Sequence, residues 1–392
     1  MKIYQGMDTP FEYIRMTIPK RKLSVVAPGL VDDLENGRNK IYTEIMGRST
    51  YILYSGGSAK VSKNGSYELV AYCKERQISE CQLTSDIYDT PMQIIINLMT
   101  ADPEFSFVKG FKYPISQNDI ITNVASSEQG ICEVEIKAGV NAWFAIQMCA
   151  LMMGARVWFA NDKMYIIDYR KASARSGPYY SYGNVSLYSR DSESPLYNRM
   201  VDVPSIGESG STVINTVEVR HNLLDDGKYI VTVDPTTSRS SMRYGEQSLA
   251  SPLDLSGINA HPRPGSGATE EELSAYQDKL KRMIGYIGKT IIDYRAESQQ
   301  SIEFTCKELF SRDGEIMWAP AFEPACYADS LRDPINEVNI DNYSVLDPGT
   351  RLPQKLYLFS MVREYPDCVT TYKFGQLASI DLESNNSYLM GR

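Results

Sequence analysis

The sequence predicts a mainly β protein with α+β inserts. Three observations carry that expectation. Apolar and polar residues alternate with period two near both ends of the chain. Asn64-Gly65 and Asp226-Gly227 sit between alternating runs, where such pairs make tight hairpins. Between the two β-rich regions lie helix signals with recognisable caps.

The first ninety residues read as strands. Ile14, Met16 and Ile18 alternate with Tyr13, Arg15 and Thr17, the period of a half-buried strand. Strands are expected over 41–46 and 50–55, and a hairpin over 59–62 and 66–73 around Lys63-Asn64-Gly65. Roughly four to six short antiparallel strands with such turns predict a small barrel or sandwich.

At Thr90 the pattern changes. Thr90-Pro91-Met92-Gln93 offers a cap hydroxyl, an early proline and a glutamine, the layout of a helix start. Ile94, Ile95, Leu98 and Met99 supply its apolar face, and Asp102-Pro103 its stop. Strands are expected near 105–108 and 132–137. Asn141 is placed to cap a helix over 142–153 that Gly154 ends. Strands over 156–160 and 164–169, joined by Asn161-Asp162-Lys163, complete a helix leaning on a hairpin.

Residues 171–212 are rich in Ser, Tyr and Gly and read as an extended connection with a strand or two. Strands resume over 213–220 and 229–234. Residues 251–268 are rich in Pro and Gly. Thr269 and Glu272 then form a capping box, and Glu270 to Glu272 suit the positive end of a helix. Leu273, Tyr276, Leu280, Met283 or Ile284, and Ile287 form the apolar stripe of that helix. Strands return over 301–309, 315–319, 355–364 and 369–374. The chain thus divides into a first β-rich region (1–88), an α+β domain (89–170) and a second β-rich region (171–392) with a helical insert around 251–300.

Composition bounds the chemistry. The 392 residues are 43% hydrophobic and 23% charged, too apolar for a disordered chain. Forty Lys+Arg against 49 Asp+Glu leave a net charge of −9, so a free-standing nucleic-acid binder would need a strong local basic patch. The tight basic run Lys20-Arg21-Lys22 reads as a solvated strand end. The 27 tyrosines suit half-buried strands and interfaces. Residues 1–11 contain no apolar signal core, and the apolar window 140–160 is broken by Gln147, Gly154 and Arg156, so neither a secretory signal nor membrane binding is expected.

No catalytic, cofactor-binding or metal-ligating residue is assigned, and no cofactor. The two histidines, His221 and His261, lack a triad setting and read as surface residues. Seven scattered cysteines (Cys73, Cys81, Cys132, Cys149, Cys306, Cys326 and Cys368) fit neither a disulfide framework nor a zinc ribbon, and point to a reducing compartment. Gly265-Ser266-Gly267 lacks the strand and lysine of a phosphate loop. Asp225-Asp226 and Asp313/Glu315 are acids that turns themselves explain. Trp143, Phe144, Trp158 and Phe159 read as core.

The order of these elements resembles that of baseplate hub, or tail-tip hub, proteins of tailed phages and related contractile injection machines. Three segments carry the resemblance: Ile87-Tyr88-Asp89-Thr90-Pro91-Met92-Gln93-Ile94-Ile95 at the helix entry; Ala142-Trp143-Phe144-Ala145-Ile146 through Gly154-Ala155-Arg156-Val157-Trp158 to Met164-Tyr165-Ile166-Ile167-Asp168; and Asn215-Thr216-Val217-Glu218-Val219-Arg220 with residues 362–375. The resemblance implies two tail-tube-like β-barrel domains per chain and a homotrimeric, pseudo-sixfold ring. Such a ring joins the tail tube or distal tail protein to a central spike and leaves a channel that genomic DNA crosses in transit. It implies a structural protein of the virion baseplate, assembled in the host cytoplasm, and no enzyme. An acidic chain would suit the channel wall, because carboxylates repel phosphates. Tyr179 to Tyr188 is a candidate subunit contact. The alternatives are a tail-associated cell-wall or polysaccharide hydrolase and another structural tail component, such as a distal tail adaptor.

Overall fold

Backbone N–H and C=O groups in an extended run must find partners on both sides, and here the two ends of the chain supply them to each other. The computed structural model describes residues 2–6, 10–26, 28–29, 41–45, 49–53, 60–61, 65–101, 107–160, 162–168, 205–209, 213–233, 239–296, 299–307, 311–312, 315–316, 357–364, 367 and 369–375. The Tyr179 to Tyr188 segment, Asp313, Cys326 and Cys368 lie outside them, as do the side chains of Cys306 and Glu315.

In chain order the first part contains β1 (Lys2–Gly6), β2 (Tyr13–Pro19), α1 (Lys20–Val26), β3 (Ile41–Ile45), β4 (Ser49–Leu53), β5 (Lys60–Val61), β6 (Ser66–Cys73) and a 3-10 turn (Lys74–Glu80). The middle contains β7 (Ile87–Asp89), α2 (Pro91–Thr100), β8 (Ile120–Thr122), α3 (Ser126–Gln129), β9 (Val134–Ile136), α4 (Ala142–Met152), β10 (Arg156–Ala160) and β11 (Lys163–Ile167). Then come β12 (Ser205–Ser209), β13 (Thr216–Arg220), β14 (Lys228–Thr232), α5 (Arg239–Tyr244), β15 (Leu253–Asp254), β16 (Ile258–Ala260) and α6 (Glu270–Arg295). The chain closes with β17 (Gln299–Lys307), β18 (Ser311–Arg312), β19 (Glu315–Ile316), β20 (Tyr357–Glu364) and β21 (Val369–Gly375).

One ten-stranded sheet runs in the order β12-β17-β21-β20-β1-β2-β6-β4-β3, with β5 also on β6. Its centre is the antiparallel pairing of β1 with β20, from Lys2 opposite Glu364 to Gly6 opposite Ser360. Among the described residues the sheet is open, with β12 and β3 at its edges. One face is buried: Ile3, Ile14, Tyr67, Leu69, Ala71 and Cys73. Gly65, at φ 68°, turns the chain before β6 as the Asn-Gly pair predicts.

The middle of the chain packs around α4. This helix is apolar on nearly every side, so it is surrounded by protein. Its cap is the predicted one: Asn141 Oδ1 accepts from the Phe144 N–H at 3.0 Å. Gly154, at φ 75°, takes the left-handed turn that ends it. Strands β10 and β11 pair from Arg156 opposite Ile167 to Ala160 opposite Lys163, and β8 joins β11 in parallel. Phe11 wedges into this unit, 4.6 Å from Trp143 and 5.5 Å from Phe159 between ring centres. Two smaller sheets, β16-β9-β7 and β14-β13-β15, complete the packing.

Long helix α6 locks these layers together. Thr269 and Glu272 form both bonds of the capping box. Tyr276, Leu280, Met283, Ile284 and Ile287 are buried as the stripe predicts, and Ile291, Ile292 and Tyr294 extend it. Tyr294 donates its hydroxyl to the Gly154 carbonyl at 3.0 Å, joining the end of α6 to the end of α4.

Three expectations need correction. Leu273 is 47% exposed, because residues 271–275 all lie outside the packing that buries α6 from Tyr276 onward. Lys20, Arg21 and Lys22 are exposed but open a short helix instead of ending a strand. Thr90 stands at the cap position of α2 without using its hydroxyl; its own N–H donates to Asp89 Oδ1 at 2.7 Å, and Gln93 reaches forward to Asn97.

At Gly288 helix α6 crosses β14 so closely that an added Cβ would lie 2.7 Å from Val231. Gly288→Ala should therefore lose the roughly 1–3 kcal/mol of overpacking, partly offset by about 1 kcal/mol of helix propensity. Urea unfolding should show a lower midpoint at unchanged slope. Gly285→Ala, with nothing within 4 Å of its added Cβ, should instead raise the midpoint.

Candidate functional site

Period-two alternation that buries one face of a sheet must present the other to solvent. Among the described side chains of the ten-stranded sheet, that second face is mostly polar. Its charges among the described side chains include Lys2 on β1, Arg15 on β2, Glu68 on β6, Glu303 on β17 and Glu364 on β20, all half-buried or exposed. Thr17, Thr305 and Thr371 add hydroxyls, the last two 3.0 Å apart across β17 and β21.

Cross-strand pairing sets what lies beside what. Lys2 is opposite Glu364, and their side chains meet at 2.9 Å. That hydrogen bond raises the Lys2 ammonium above its ordinary pKa. Tyr4 is opposite Tyr13 and Tyr13 opposite Tyr72, so three rings form a ladder across β1, β2 and β6. Tyr4 and Tyr13 stack at 4.4 Å and 9°, Tyr13 and Tyr72 meet at 5.5 Å, and the Arg76 guanidinium lies 3.7 Å over Tyr72. This ladder was missed in the sequence. Its signal was the tyrosine content together with Tyr13 and Tyr72 in alternating strands, but the partner of each depends on register.

The histidines do not assemble into a site. His221, read as a surface residue, is 1% exposed. Its Nε2–H donates to the Ile258 carbonyl at 2.9 Å and its Nδ1 accepts from the Leu223 N–H at 3.1 Å, the arrangement of a neutral ring. Burial lowers its pKa, with the Ile258 carbonyl opposing. It is a fastener between the turn after β13 and strand β16. His261 is half-buried and stacks on Tyr88 at 4.8 Å and 12°. Neither ring hydrogen-bonds a carboxylate in the described residues.

Other candidates resolve into structural roles. Lys137 bridges Asp86 at 2.6 Å and Glu135 at 2.8 Å, which raises its pKa and lowers that of Asp86. Gly265 and Gly267 lie in the entry loop to α6, where the Ala268 N–H donates to the Gly265 carbonyl. Asp225 and Asp226 are exposed at a turn closed by Gly227 at φ 66°. Trp143, Trp158 and Phe159 are buried core, with Trp158 stacked on Tyr165 at 5.4 Å. Cys73, Cys81 and Cys149 are buried free thiols and Cys132 is half-buried. Burial pushes the Cys132 thiol up to about 11 and Cys149 well above its ordinary value, which holds both protonated. Among the described residues no His, Cys, Asp and Glu cluster is placed to hold a metal, and no helix is long and apolar enough to cross a membrane.

One acid stands out. Glu75, in the 3-10 turn after β6, is fully buried, and neither carboxylate oxygen makes a well-formed hydrogen bond. Lys74 Nζ is 3.8 Å away. Burial pushes the carboxyl up to about 7, with Asp162 adding to the rise while its own N–H, Lys74 and Cys73 oppose it. A carboxyl with no exposed surface has no route to a substrate.

No family model matches the chain, and no curated protein matches it. Among solved structures the fold is similar to three tail proteins. Prophage tail protein gp18 from Listeria monocytogenes EGD-e has a TM-score of 0.46 at 8% identity, over 99% of this chain and 91% of that one. The tail protein from Neisseria meningitidis MC58 has a TM-score of 0.44 at 15% identity, over 96% and 91%. The 43 kDa tail protein of prophage MuSo2 from Shewanella oneidensis has a TM-score of 0.42 at 12% identity, over 95% and 92%. Likeness at this level is a likeness of chain path.

The Glu75 carboxyl predicts a pH dependence of stability. Its folded pKa lies above the ordinary 4.5, so the folded state holds the proton more tightly and gains stability that is complete below that value. That contribution is lost as pH rises through about 7. Glu75→Gln should raise the melting temperature at pH 8 and flatten its fall between pH values of about 5 and 8. An unchanged fall in the variant would refute the assignment.

Proposed function

We propose that this chain is a structural hub protein of a phage tail. In this reading three copies close into a ring that joins the tail tube, or a distal tail protein, to a central spike. The observation that carries it is the ten-stranded sheet drawn from both ends of one chain, which among the described residues is mostly polar on one face and open at both edges. Open edges present unpaired N–H and C=O groups, and placing β3 of one copy beside β12 of the next would continue the sheet around an axis.

The sequence resemblance supplies the rest of the reading. The regions 1–88 and 171–392 are the two tube-like modules, set side by side through β1 and β20. The region 89–170 with α6 forms a buttress on the buried side. A trimer of two-module chains presents six modules to a sixfold tube and threefold symmetry to a spike. The polar face would line the channel. Among the described residues its hydroxyls and mixed charges, with Lys2 closed onto Glu364, hold no block of unpaired cations that would bind a passing phosphate backbone. The protein would sit in the baseplate of the virion tail after assembly in the host cytoplasm, and it would be a joint, with no catalytic role.

Sedimentation of the purified protein tests this directly. The expected species has three times the 44.1 kDa chain mass, and negative-stain images should show a threefold ring with a central hole. A species that stays monomeric, alone and with tube protein added, would overturn the proposal.

A further inference from the structure

The ring reading makes no use of β14 or of the outer side of α6. Strand β14 is an edge of its own small sheet, paired only with β13 among the described residues. The ladder closes through bonds from the Val233 N–H to the Asn215 carbonyl and from the His221 N–H to the Gly227 carbonyl. Alternation from those points, with Val231 opposite Val217 and Tyr229 opposite Val219, directs odd-numbered residues of β14 toward β13. The backbone groups of Lys228, Ile230 and Thr232 therefore point to the open edge. All three residues are exposed, and the Ile230 side chain is 50% exposed. Its protection is slight: among the described residues β14 has no proline and no bulge, and its single edge charge, Lys228, stands at the very start of the strand.

Beside this edge lies a groove of about 780 Å³ between β14 and α6. Tyr229, Val231 and Val233 form one wall, and Gly285 leaves the opposite wall open above Tyr286. Its rim carries a small cationic excess, three cations against two acids, in a chain of net charge −9. Lys281, Arg282 and Lys289 line it against Asp278 and Asp293. Arg282 Nε reaches the Asp278 carbonyl, while Lys281 and Lys289 form no ion pair among the described residues.

We propose that β14 and this groove form a strand-docking site for an extended, acidic segment of a partner protein. Main-chain bonds to Lys228, Ile230 and Thr232 would add the segment as a fourth strand, and carboxylates at alternate positions would meet Lys281 and Lys289. The apolar side chains between them would cover Ile230. A second copy of β14 is the poorer occupant, since its sequence Lys-Tyr-Ile-Val-Thr carries no carboxylate to meet Lys281 and Lys289.

Fluorescence anisotropy with the full-length protein and a labelled short peptide alternating Val and Glu tests the site. Saturable binding is expected, weakening about tenfold or more in the Lys281→Glu, Lys289→Glu double variant and for a matched Val-Lys peptide. Ile230→Pro removes an outward N–H and no native ladder bond, so it should also weaken binding about tenfold while keeping the fold by circular dichroism. Equal affinity for the two peptides, or no binding at about 1 mM, overturns the proposal. So does undiminished binding by the charge-reversed variant, or tighter binding of a single-stranded oligonucleotide than of the acidic peptide.

Discussion

Strand β1 can satisfy its backbone on both sides only by lying between β2, its neighbour in sequence, and β20, from the far end of the chain. That one pairing turns two runs of strands into a single surface. It places the Lys2 and Glu364 side chains in contact and sets which residues share the polar face. Closing so long a loop costs chain entropy, which grows only slowly with length and is offset by the contacts that follow. Everything on the polar face, including the tyrosine ladder, depends on this register. A slip by one residue would exchange Ile3 with a polar neighbour and bury the wrong face.

Behind the sheet, two helices of opposite character hold the layers. Helix α4 is apolar almost all round and is surrounded by α2, the 3-10 turn, β10 and α6. Helix α6 is amphipathic and longer, and its buried stripe reaches from Tyr276 to Tyr294. The Tyr294 hydroxyl on the Gly154 carbonyl joins them where α4 has just ended and its last carbonyls lack helical partners. Gly288 shows the same economy of space, since its missing Cβ is what lets α6 lie on β14. The outer side of α6 is left charged and solvated, and with β14 it makes a groove.

Local signals read well where the chemistry is local. The capping box of Thr269 and Glu272, the Asn141 cap, the Gly154 stop and the turns at Gly65 and Gly227 are all built from residues within a few positions of each other. Thr90 shows the limit of such signals: Asp89, one residue earlier, accepts from the Thr90 N–H that the Gln93 side chain was expected to reach, and the Thr90 hydroxyl caps nothing. Leu273 and His221 failed for a different reason. Their exposure depends on what packs against them from distant segments: too little among the described residues to bury Leu273, and the Ile258 carbonyl over His221.

The amino-acid order alone settled the strand-rich ends, the helix-and-hairpin centre and the long capped helix, because periodicity, turns and caps act over spans of a few residues. Which strand lies beside which was decided by packing in three dimensions. The union of β1 with β20, the pairing of β16 with β9 and the extension of the tyrosine ladder from β2 to β6 follow from hydrogen bonds between segments far apart in the chain. Such bonds leave no periodic trace in the residues that make them, since any alternating strand can in principle accept any other.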